Sequence, residues 1–147
     1  RTLLFPKDRK YEGELNKLYK KLSKSSSFSF SDYFFLNKKI LKYLSLFKDK
    51  CNLAIFTSGS IQNAPEIKSE LDKVFKKIYS AEEIGFGKKD TKSYIFIAKD
   101  LSVKPREILF VDDNLKNTEF ASALGLQVHK FINVKILRKE LENLTSD

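Results

Sequence analysis

A chain of 147 residues can form one compact domain that buries roughly 68–70% of its unfolded surface. Its 41% hydrophobic and 32% charged residues include no apolar run long enough to span a membrane, and a single cysteine, Cys51, excludes an internal disulfide framework or a cysteine-based metal site. The net charge of +9 is uneven, because residues 1–50 carry 13 Lys/Arg against 5 Asp/Glu while the remainder is nearly balanced.

Thr2–Phe5 is a short apolar run ended by Pro6, compatible with a buried strand. Leu15, Leu18, Tyr19 and Leu22 recur at i, i+3, i+4 and i+7 and predict an amphipathic helix over 14–24. Lys17, Lys20, Lys21 and Lys24 lie on or beside its other face. Residues 23–31 are serine-rich and predict a loop. A second helix is expected over 32–48, with Leu36, Ile40, Tyr43, Leu44 and Phe47 as its buried stripe.

Leu53–Phe56 reads as a buried strand leading into Thr57-Ser58-Gly59-Ser60. Asn63-Ala64-Pro65-Glu66 has the pattern of a capping box with proline in the first turn, opening a helix that turns Ile67, Leu71, Val74 and Phe75 inward. Lys77–Tyr79 predicts a short strand, and Ser80–Glu83 a helical turn. Gly85-Phe86-Gly87 then delivers Lys88 and Lys89 ahead of a helix over 91–101 that buries Tyr94, Ile95, Ala98 and Leu101.

The run Ile108–Asn114 organises the chain. Four apolar residues predict a fully buried strand, two carboxylates follow at once, and Asn114 can cap a helix from Leu115 to the stop at Gly125. In parallel α/β sheets ligands sit just past the carboxyl ends of strands. Asp112 and Asp113 there suit a hard cation such as Mg²⁺, although the same pair could simply end a strand and cap a helix. Leu126–Phe131 supplies another strand, and a last helix from Asn133 buries Val134, Leu137, Leu141 and Leu144. Strands alternating with helices imply an α/β fold, a Rossmann-like parallel sheet with helices on both faces, as a single domain over 1–147.

Phe5-Pro6-Lys7-Asp8, Phe56-Thr57, Lys88/Lys89 and Asp112-Asp113 fall at strand ends in an order that resembles the haloacid dehalogenase (HAD) superfamily of phosphohydrolases. Phe56–Ser60 and Ser93-Tyr94 with Ile97-Ala98 look like its enolase-phosphatase branch. Phe110–Asn114 with Asn117 and Gly125 resembles the small pyrimidine nucleotidases. The resemblance implies a nucleophilic aspartate at the first strand, an acid/base aspartate two positions on, a hydroxyl and a lysine for the phosphoryl oxygens, and carboxylates for Mg²⁺.

Matched to that pattern, Thr57 takes the hydroxyl position with Ser58 beside it, and Asp112 and Asp113 take the metal carboxylates. Spacing to Ser93-Tyr94 chooses Lys88 as the lysine, whereas spacing to Ala98 chooses Lys89. Asp8 falls at the acid/base position, but Pro6 falls at the nucleophile, and proline offers neither a nucleophilic oxygen nor a metal ligand. The alternative alignment puts the true first strand upstream of Arg1. The cap is reduced, at about residues 12–35.

Two functions are therefore expected. The first is a catalytically inactive HAD-like domain, a structural subunit that meets other proteins and RNA through basic residues 1–50, with no cofactor. The absence of methionine suggests a cleaved or missing leader, and a mitochondrial ribonucleoprotein would fit. The second is a Mg²⁺-dependent phosphatase of a small phosphate ester whose nucleophile lies upstream. Cys51 is expected to be a packed thiol and His129 a structural residue of the last strand.

Overall fold

The structure, a computed structural model, describes residues 1–146. These gather into two compact units, one of Arg1 with Leu3–Gly85 and the other of Thr2 with the chain from Phe86 onward. Strands pair two by two among the described residues: one antiparallel pair and two parallel pairs, each parallel pair joined through a helix. The predicted α/β class holds.

In the first unit, β1 (Leu4–Pro6) runs antiparallel to β2 (Phe34–Leu36), with Leu4 opposite Leu36 and Pro6 opposite Phe34. The strand expected to end before Pro6 thus includes it. Between these strands lie α1 (Leu15–Leu22) and α2 (Phe30–Tyr33), which occupy half of the segment expected to form the cap. Then follow α3 (Lys38–Leu44), β3 (Ala54–Thr57), α4 (Pro65–Asp72), β4 (Lys77–Ser80) and α5 (Ala81–Ile84). β3 and β4 are parallel, and Thr57 stands opposite Ser80 at their carboxyl ends.

The helix expected over 32–48 is broken. Phe34 and Leu36 are buried while Phe35 is exposed, a two-residue alternation that belongs to a strand, and aromatics favour that state. The helix restarts where the Asn37 side chain accepts from the Ile40 N–H at 3.3 Å. The capping box at Asn63 does not form either. Ala64 occupies the N-cap with no side-chain bond, Pro65 is the first helical residue, and the Asn63 amide donates instead to Glu83 Oε1 at 2.9 Å. Cys51 is exposed rather than packed.

The second unit holds α6 (Thr91–Asp100), β5 (Leu109–Asp112), α7 (Leu115–Ala123), β6 (Gln127–Lys130) and α8 (Val134–Leu144). Its three longer helices start on polar caps: Asp90, Asn114 and Asn133 accept from the N–H groups of Lys92, Lys116 and Ile136 at 2.9, 3.0 and 3.0 Å. Gly125, at φ +87°, takes the left-handed turn that releases the chain into β6. Tyr94, Ile97 and Ala98 line the inner face of α6, so Ile95, one residue from Tyr94, is rotated outward and 58% exposed rather than buried. On α8, Leu137 and Leu141 are buried and Leu144 is not. No helix among the described residues is long and apolar enough to cross a membrane.

Leu71 on α4 is completely buried. Leu71→Ala should lower the unfolding free energy by about 2–5 kcal/mol in a urea titration, with the slope unchanged.

Candidate active site

The second unit concentrates its polar chemistry at the carboxyl end of β5. The alternation along Leu109–Asp112 that buries Phe110 also buries Asp112, whose carboxylate is only 4% exposed. A charge so placed needs partners, and local structure supplies them. Lys88 Nζ donates to Oδ2 at 2.7 Å, and the backbone N–H of Asn114 donates to Oδ1 at 2.8 Å. Asn117, one turn into α7, reaches both oxygens at 3.3 Å through its Nδ2. Asn114 therefore caps α7 with its side chain and fixes Asp112 with its backbone.

Lys88 is positioned from below as well. Its carbonyl accepts from the Tyr94 hydroxyl at 2.7 Å, and its ammonium lies 5.9 Å from the Phe110 ring centroid. Tyr94 also meets Phe110 edge to face, at 5.5 Å between ring centroids. Lys89 is exposed, so Lys88 is the lysine brought to the carboxylate. Asp113 is exposed beside the buried Asp112.

The first unit carries a separate cluster at the carboxyl end of β3. Thr57 is buried, and its Oγ1 accepts from Gln62 Nε2 at 2.7 Å. Asn16 of α1 braces the loop that follows: its Oδ1 accepts from the Ile61 N–H at 3.0 Å and its Nδ2 contacts the exposed Ser58 hydroxyl at 3.4 Å. Gly59 is required here, because a Cβ would come within 2.4 Å of the Asn16 side chain. Ser80, opposite Thr57, is 1% exposed and its hydroxyl has no hydrogen-bond partner among the described residues.

Pro6 is the last residue of the antiparallel strand β1, whereas Asp8 is exposed and accepts from the Lys10 N–H at 2.9 Å within its own turn. His129, opposite Val111 in β6, has a buried Nε2 without a partner among the described residues. Gln62, Asn16, Ser80 and the anchoring role of Tyr94 were not foreseen from sequence. A tyrosine expected to be buried, seven positions after Gly87, was the one available hint, since buried phenols generally seek an acceptor.

Adjacent carboxylates at a strand end are a fitting donor set for Mg²⁺, which is commonly held by one or two carboxylates with water and substrate oxygens completing its shell. Asp112 already pairs with the Lys88 ammonium, so a metal ion there would share the carboxylate with it. Asp112 and Asp113 are the residues that would hold it.

Burial, and then the negative charge of Asp112, push the Tyr94 phenol far above its ordinary range. A group whose pKa is raised on folding contributes its stability below the unfolded value and loses it as pH climbs. Tyr94→Phe should therefore lose less stability than the wild type between about pH 9 and pH 11, measured by denaturant titration at each pH. At neutral pH it should cost about 1 kcal/mol for the missing bond to Lys88.

Residues 8–125 match the family described as haloacid dehalogenase-like hydrolase. Among curated proteins the chain is 28% identical over 116 residues to drimenol cyclase drtB of Aspergillus calidoustus, covering 74% of this chain and 22% of that protein. It is 35% identical over 80 residues to enolase-phosphatase E1 of Thioalkalivibrio sulfidiphilus, covering 51% of this chain and 35% of the relative. The chain thus spans about a third or less of the curated relatives it matches. Among solved structures, a HAD family enzyme of Bacteroides thetaiotaomicron in complex with magnesium and inorganic phosphate superposes with a TM-score of 0.55 at 18% identity, over 69% of this chain and 57% of that one. With four-fifths of its residues matched and the strand-end carboxylates, hydroxyl and lysine in sequence order, this chain belongs to the haloacid dehalogenase-like hydrolases.

Proposed function

We propose that the chain carries most of the machinery of a Mg²⁺-dependent phosphatase acting on a small phosphate ester, with its nucleophilic aspartate on a strand outside residues 1–147. The observation that carries this reading is the buried Asp112 carboxylate, held at the end of a parallel strand by Lys88, Asn117 and the Asn114 N–H. Burying a charge is expensive, and a domain that needed only to fold would do as well with an apolar residue there.

Each residue then has a task set by its chemistry. Asp112 and Asp113 would hold the cation, which would supply positive charge to the phosphoryl oxygens. Lys88 offers a compact positive charge to the same kind of oxygen, and in the first unit, described by itself, the Thr57 hydroxyl is a hydrogen-bond donor of the kind that suits an acceptor oxygen. Similarity to an enolase-phosphatase supports a small phosphate ester as substrate.

Against the non-catalytic reading stands the pairing of Pro6. It is opposite Phe34 in an antiparallel pair, which favours a nucleophile carried by another strand over one that a proline replaced. Asp8, exposed and bonded within its own turn, fits that reading, in which the acid/base lies beside the nucleophile on the same outside strand. In favour of a binding subunit stands the excess of eight positive charges in residues 1–50, which suits RNA. The two readings separate cleanly. A non-catalytic subunit would bind RNA with strong salt dependence and turn over nothing.

Full-length protein should hydrolyse p-nitrophenyl phosphate with Mg²⁺ and stop when the metal is chelated. Asp112→Asn should reduce that turnover at least ~100-fold. Absence of any Mg²⁺-dependent turnover by the full-length wild type would sink the proposal.

A further inference from the structure

The hydroxyl of Thr57 has one proton and two lone pairs. Gln62 Nε2 donates to its oxygen at 2.7 Å, and the Gly59 N–H approaches the same oxygen at 3.5 Å. With two donors already aimed at the oxygen, what Thr57 has left to give is its proton. A phosphoryl oxygen at neutral pH is an acceptor, so this is the orientation that can engage it. Were the amide absent, the hydroxyl could as readily rotate to spend its proton elsewhere.

Gln62 is itself firmly placed. It lies in the 3₁₀ turn Ile61–Asn63, where the Ile61 side chain is 1% exposed and the Ile61 N–H is bound to Asn16 Oδ1 at 3.0 Å. The other end of its amide, Oε1, is buried with no partner among the described residues. The Thr57 hydroxyl is thus the partner that the Gln62 amide meets among the described residues.

We propose that Gln62 is a positioning residue that sets the Thr57 hydroxyl as a proton donor toward a bound phosphoryl group. The inference rests on the phosphate role of Thr57 given above and deepens it. Gln62 acts through Thr57 and does not itself meet the phosphoryl oxygens.

The test measures binding of inorganic phosphate to the full-length protein by calorimetry, with circular dichroism to verify folding of each variant. The variants are Thr57→Val, Gln62→Glu and Gln62→Met. A glutamate carboxylate only accepts, so in Gln62→Glu the Thr57 proton turns toward it. Phosphate binding at about pH 8 should weaken about tenfold or more. The ratio to wild type should shrink near pH 4.5, where a protonated glutamate can donate again, and taking the ratio at equal pH cancels the titration of phosphate itself. Gln62→Met keeps the bulk without any charge, and should bind about threefold or more weakly with no recovery at low pH. Wild type that does not bind phosphate, or Thr57→Val that binds as tightly as wild type, overturns the phosphate role of Thr57 and this inference with it. A weakened Thr57→Val with both Gln62 variants equal to wild type overturns the Gln62 assignment alone. An equal loss in Gln62→Glu at both pH values assigns Gln62 to packing and overturns it too.

Discussion

A carboxylate that is 4% exposed is the constraint around which the second unit is arranged. Left alone in that position, Asp112 would be too costly to keep ionised. Every nearby element contributes something to offset that: the loop after Gly87 brings an ammonium, the start of α7 brings a backbone N–H, and the first turn of α7 brings an amide. α6 joins in indirectly, because Tyr94 secures the backbone of Lys88 while filling the space against Phe110. The packing of an aromatic core and the placement of a charge are thus one problem solved by the same side chains.

The cluster at the end of β3 follows a different logic. Thr57 is neutral, so burial alone is not a severe penalty, and its surroundings control direction rather than charge. Gln62 constrains the hydroxyl, Asn16 holds the loop on which Gln62 sits, and the absence of a side chain at Gly59 makes room for Asn16. One strand end is organised by electrostatics and the other by hydrogen-bond geometry. Both arrangements suit an anionic ligand with acceptor oxygens.

The parts of this fold that could be read from sequence are those that local rules decide. Asn114 and Asn133 cap helices where the pattern places them, and Gly125 ends α7 with the left-handed turn that its position suggests. The strand leading to Asp112 and the pairing of Thr57 with a following loop were visible for the same reason. Residues 34–36 were misread because Leu36 shares a helical stripe with Ile40 and Tyr43, and only pairing with Leu4–Pro6 decides that they extend as a strand. Asn16 and Gln62 left no trace in the pattern, since polar residues on a helix and in a turn are common. Asn16 meets Ile61 45 positions away, and Gln62 turns back to Thr57 across a loop whose path the pattern does not give. Spacing leaves Lys88 and Lys89 open, and it is the Lys88 ammonium that pairs with the Asp112 carboxylate.

The close fit of Gly59 against Asn16 ties the shape of the β3 loop to the seating of α1. Homologous chains that enlarge residue 59 would have to shorten or relocate the side chain at 16 in the same step. Variation at these two positions should therefore be correlated across the family, and α1 becomes part of the frame that aims a hydroxyl.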